Sequence, residues 1–130
     1  MSKFPKEIID CMKQCVLSIF WPKKDIIEFF ENAGCTKRDL PKEHEIGELY
    51  RYEIIDMVFL NLNGRADYGL AQLRAIMNLL LEWNTFSGYY FDDLKKLDPN
   101  EAKRNIAHLR KLQQTRDEKI KNPMTIIQKK

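Results

Sequence analysis

A chain of 130 residues with 44% hydrophobic and 32% charged side chains has the composition of a single globular domain, which excludes a disordered chain and leaves no room for a second independent core. No apolar run reaches the roughly 18 residues of a membrane span, and the N-terminus lacks the features of a signal peptide, so a cytoplasmic location with no membrane partner is expected. The net charge of +3 is unevenly spread: residues 103–130 hold nine Lys or Arg against two acids, leaving a mildly acidic body of 13 basic and 17 acidic groups.

In chain order, Pro5 suits the first turn of a helix whose Ile8, Met12, Cys15, Val16 and Ile19 keep the three-and-four spacing of one buried face. Pro22 cannot continue that helix but suits the start of another, about 22–33, carrying Ile26, Ile27, Phe29, Phe30 and Ala33 and stopped by a left-handed Gly34. The stretch "FWPKKDIIEFF" is therefore a tight corner, with Trp21 expected to cap the core and Lys23 and Lys24 to stay in solvent. Cys35 to Glu45 reads as a polar loop with one helical turn near Arg38 to Leu40.

The helical period resumes at Ile46 through Leu49, Tyr50, Ile54, Met57 and Val58 and closes at Asn63-Gly64. Asp67 is the expected N-cap of the next helix, in which Leu70, Leu73, Ile76, Met77, Leu80 and Leu81 form the broadest apolar face, so this element is expected to be central. Thr85 to Gly88 breaks it, and Tyr89 to Leu97 adds a short turn.

Asp98-Pro99-Asn100-Glu101 combines an N-cap, a proline at the first helical position and a glutamate able to bond back to the cap. The stripe Ala102, Ile106, Leu109 and Leu112 follows, after which Gln113 to Asn122 holds Ile120 alone as an apolar residue, so the helix is expected to leave the body before Pro123 ends it. The expected fold is all-α, a compact bundle of about five or six short helices with a longer C-terminal helix. Residues 1–112 form the bundle, and 113–130 a polar, basic helix extension acting as linker or tail.

Chemistry is sparse. Cys11, Cys15, Cys35 and His44 match no zinc-ligand spacing, and both helical cysteines lie on or beside the apolar stripe, so buried thiols are expected. Arg104 and His108 invite comparison with HEPN ribonucleases, whose Arg and His stand further apart than the three intervening residues of "RNIAH" allow. The acids at Asp92-Asp93 and Glu43 to Glu48 sit near helix ends, where they serve the macrodipole. A Gly-rich phosphate loop, a nucleophile elbow and a metalloprotease helix are all missing, so no catalytic, cofactor-binding or metal residue is expected and the chain is read as a non-enzyme.

Two binding surfaces remain. Arg104, Arg110, Lys111, Arg116 and Lys119 on the last helix are candidate phosphate contacts for a nucleic acid, although no interleaved aromatics accompany them. Tyr50, Tyr52, Phe86, Tyr89, Tyr90 and Phe91 are candidate interface residues, because tyrosine pairs an apolar body with a polar tip; the alternative is that they cover the ends of the bundle.

The succession "FWPKKDIIEFFENAGC", "YEIIDMVFLNLN" and "GLAQLRAIMNLLLEW", within about residues 4–112, resembles the helical N-terminal domain of large bacterial proteins associated with restriction and anti-phage defence. There an aromatic-Pro-Lys-Lys-Asp corner opens the second helix, and a nuclease, ATPase or other effector follows. A broader similarity is to death-like effector-associated domains, small bundles that assemble conflict-system proteins. The resemblance implies recruitment, sensing or oligomerisation through a protein partner or self-association, and it carries over no catalytic residue. "KNPMTIIQKK" then reads as a linker to a further domain.

Overall fold

Helix α1 (Lys6–Ile19) starts behind Pro5, whose carbonyl accepts from the amides of Ile8 and Ile9 at 3.1 Å. The computed structural model describes residues 3–86, 90–91, 94–95 and 97–121, with side chains given outside 87–96 and 118–121. Pro22 supplies the corresponding start for α2 (Lys23–Asn32), accepting from Asp25 and Ile26. Gly34, at φ +93°, ends α2: its N–H donates to Glu31 O and that of Cys35 to Phe30 O, the paired bonds of a Schellman stop.

Between α2 and the next long helix, the turn closes at Thr36 to Asp39, and a four-residue helix, α3, covers Glu43–Ile46. The buried Asp39 carboxylate holds this segment down: it accepts from the Thr36 amide at 2.9 Å and lies 3.4 Å from Arg65 Nη1, while Asn61 Nδ2 donates to the Asp39 carbonyl at 3.1 Å.

Helix α4 (Arg51–Asn63) begins five residues later than the apolar period suggested, because Glu53 accepts from the Tyr50 amide at 2.9 Å and so fixes the first turn there. Gly64 closes it with an ordinary φ of −83°. Helix α5 (Leu70–Leu81) is capped by Gly69 and not by Asp67; Asp67 Oδ1 instead accepts from the Gly69 amide at 2.9 Å, shaping a turn in which Tyr68 and Gly69 both have positive φ.

Strands β1 (Tyr90–Phe91) and β2 (Leu94–Lys95) pair antiparallel, Tyr90 with Lys95 and Phe91 with Leu94. Two residues on each side are too few for an alternating pattern to register in sequence, so this ladder stands where a turn was expected. Helix α6 (Pro99–Lys121) opens as anticipated, with Asp98 Oδ1 accepting from the Asn100 amide at 2.9 Å.

Among the described residues the architecture is a compact all-α bundle of short helices with one long C-terminal helix. Its hub is α1, which packs on α4, α5 and α6, and not the more apolar α5. The reason is residue size. Cys11, Cys15 and Ser18 make a narrow strip of small buried side chains on which α6 lies antiparallel, with Ala102, Ile106 and Leu109 buried against it. Asn105 Nδ2 donates across this seam to Ser18 Oγ (3.1 Å), and the Arg116 guanidinium sits 4.7 Å from the Phe4 ring centroid, so contact with the body continues beyond Leu112.

Candidate functional site

The corner at Phe20 to Lys23 divides its aromatics between inside and outside. Phe20 is buried, edge-on to Trp83 at 5.0 Å, and Trp83 also meets Phe29 at 6.0 Å. The tryptophan packed against the core is therefore Trp83. Trp21, expected to cap the core, lies half-buried on the outer side, with the Arg51 guanidinium 4.3 Å above its ring. Lys23, expected in solvent, is half-buried and donates from Nζ to the carbonyls of Ile46 (3.1 Å) and Gly47 (3.3 Å), capping α3; Lys24 is exposed.

Arg51, the first residue of α4, donates from Nη2 to the Leu17 carbonyl at 2.7 Å and to the Phe20 carbonyl, tying the start of α4 to the end of α1. That clamp draws the start of α4 over Trp21 and keeps the ring out of the core. Burial lowers the Arg51 pKa, but from an arginine value high enough that the group stays charged.

Leu17, Trp21, Pro22, Tyr50 and Tyr52, with the stems of Lys23 and Arg51, line a surface depression of about 530 Å3. The rings of Tyr50 and Tyr52 stack at 5.9 Å and 6°. Leu17 and Tyr52 also border a second depression of about 260 Å3 that reaches Lys13 and Asp56. Those two residues in turn border a third of about 510 Å3, containing Phe4, Ile9, Phe59 and Leu60.

The three lie in line as a trough along the seam of antiparallel α1 and α4, crossed between the second and the third by the Lys13–Asp56 ion pair at 3.4 Å. Tyr50 (68% exposed), Tyr52 (54%) and Leu60 (71%) are the exposed large hydrophobics among the described residues, and all three line it. A larger groove of about 840 Å3 lies between α2 and α3, where Ile27, Leu40 and Ile46 stand among six charged residues and none of those three exposed hydrophobics takes part.

Of the other candidate interface residues, Phe86 is half-buried against the core with Lys103 Nζ 5.6 Å from its ring, and it does not border the trough; the side chains of Tyr89, Tyr90 and Phe91 lie outside the described residues. On α6, Arg110 donates to the Leu81 carbonyl at 2.7 Å, capping α5, and Arg116 covers Phe4. Arg104 and Lys111 are exposed two turns apart, and the Lys119 side chain is outside the described residues. His108 is exposed one turn from Arg104.

The three cysteines are buried. The hydrogen bond with Cys11 and burial raise the Cys15 pKa, and burial, reinforced by the Asp39 carboxylate, pushes that of Cys35 up to about 12, so both are neutral thiols without nucleophilic character at neutral pH. No group of three or more potential metal ligands occurs among the described residues, and none of their helices is long and apolar enough to cross a membrane. Of the residues bordering the trough, Tyr50 and Tyr52 are among the candidates read from sequence, and Leu60, Arg51 and the outward Trp21 are not. Leu60 was detectable as an apolar residue off the buried stripe of α4, whereas Arg51 and Trp21 gain their places only through packing. No protein-family model, curated protein or solved structure matches the chain.

Proposed function

We propose that this chain is a non-catalytic helical adaptor that works in the cytoplasm, the recruitment, sensing or oligomerisation module of a bacterial defence or signalling protein, and that it engages a protein through the Trp21, Tyr50 and Tyr52 end of the trough. The observation that supports this reading is the exposed, stacked pair Tyr50 and Tyr52 beside a tryptophan and an arginine. Tryptophan, tyrosine and arginine are the residues in which interface energy concentrates. The cations of that end are engaged with backbone carbonyls and its walls are apolar, which suits burial of a partner side chain and offers no acid, base or nucleophile for chemistry.

The test is co-purification of partners with the tagged chain from its own cells, compared with a Tyr50→Ser/Tyr52→Ser variant. A partner held by the native chain and lost from the variant is the expected outcome; partners retained in full by the variant overturn this assignment of the surface. Low-salt binding of nucleic acid that falls with Arg104→Glu and Lys111→Glu would instead favour the phosphate-binding alternative on α6.

A further inference from the structure

Between Pro41 and Ile54, both buried, no side chain is buried. The two ends of this stretch are fixed: Asp39 lies against Arg65 and its carbonyl accepts from Asn61, and Glu53 caps the Tyr50 amide at the start of α4. Residues 42–49 in between carry α3 and the turns after it. They are closed on themselves by short-range bonds from the amides of Glu45 (to the Lys42 carbonyl, 2.8 Å), Glu48 (to Glu45, 3.0 Å) and Leu49 (to Ile46, 3.3 Å).

Against the body the stretch places Ile46 and Leu49, each half-buried on the core, while Lys42 to His44, Gly47 and Glu48 are exposed. A segment that hides so little apolar surface loses little on leaving, whereas α1 and α4 each bury a full apolar stripe. Lys23, half-buried in the first turn of α2, fastens it. Its Nζ donates to the carbonyls of Ile46 (3.1 Å) and Gly47 (3.3 Å) at the end of α3, two charge-assisted bonds to backbone that lies far along the chain. The stem of Lys23 lines the depression beside Trp21, Pro22 and Tyr50.

We infer that residues 42–49 are a strap that opens from the bundle as one piece while the long helices stay folded, and that Lys23 is its latch. Opening takes Ile46 and Leu49 off the core and widens the groove of about 840 Å3 that Ile46 shares with Ile27 of α2. On the adaptor reading, a partner side chain seated beside Trp21 and Tyr50 also touches the latch; the strap itself needs no partner, so the two are tested apart.

Amide hydrogen exchange of the native chain, followed by NMR, is the test. The amides of Glu45, Glu48 and Leu49 are expected to share one opening equilibrium and to exchange faster than those of Val16 in α1 and Val58 in α4. They should respond little to low urea, because opening the strap exposes little surface. Lys23→Met keeps a stem of similar length and removes the donor. It should speed exchange at the three strap amides about tenfold or more, with Val16 and Val58 unchanged and the circular dichroism native. Lys23→Arg, which keeps charged donors at that place, should restore most of the protection.

Strap amides that exchange together with Val16 and Val58, accelerating along the same slope in urea, would make the stretch part of the core and overturn the strap. Unchanged protection in Lys23→Met removes the latch, and so does acceleration spread evenly over α1 and α4. Strap amides without protection in the native chain would show that nothing holds the stretch closed, which overturns both.

Discussion

Trp21, expected to cap the core, and Trp83, which packs against it, differ in what they hold, and substitution separates them. Trp83 touches Phe20 and Phe29 and donates from Nε1 to the Thr85 carbonyl at 2.9 Å, so Trp83→Ala is expected to cost about 3 kcal/mol. Trp21 lies outside the core cluster with the Arg51 guanidinium over its ring, and Trp21→Ala should cost less, about 1 kcal/mol. Urea unfolding of the two variants checks the order; a larger loss at Trp21 would return that ring to the core. A second residue-scale outcome concerns pH. The Cys35 thiol has its pKa raised from 9.0 to about 12 in the fold, so the unfolded chain ionises first. The stability it contributes is complete below pH 9 and is lost as pH rises from 9 to 12, the same direction as for Cys15. Denaturation midpoints measured at increasing pH should therefore fall above 9, and fall less steeply in Cys35→Ala.

At the scale of elements, the junction between α4 and α5 is the most constrained turn. Gly69 has φ +59°, and a Cβ there would come within 2.7 Å of Leu62 Cβ, a buried atom of α4 that has no room to withdraw. Gly69→Ala is expected to cost about 2–4 kcal/mol, combining backbone strain with the overlap, and a melting temperature within error of the native chain would show that the turn relaxes. The start of α4 carries a similar lesson. Ile46 and Leu49 keep the apolar period because both pack against the core from α3 and the link after it, so periodicity alone runs two elements together. The cap formed by Glu53 on the Tyr50 amide is the local interaction that separates them.

For the whole molecule, α6 is a structural member of the bundle. Ala102, Ile106 and Leu109 are buried, and without them the strip of Cys11, Cys15 and Ser18 on α1 would face water. Removing everything after Leu97 is expected to abolish cooperative thermal unfolding, because the hub helix loses one of its three neighbours; a sharp transition in the truncated chain would contradict this. The helical class, the two proline-started helices, the Gly34 stop, the Asp98 cap and the burial of the cysteines are legible in the residues alone. Each follows from backbone stereochemistry or from apolar spacing within a few turns. Packing between helices sets which of them is the hub, which tryptophan packs inward, and that Leu17, Trp21, Tyr50, Tyr52 and Leu60 lie along one seam. Those facts depend on how closely two helices approach and where an arginine from one reaches the end of another, distances that no local pattern encodes.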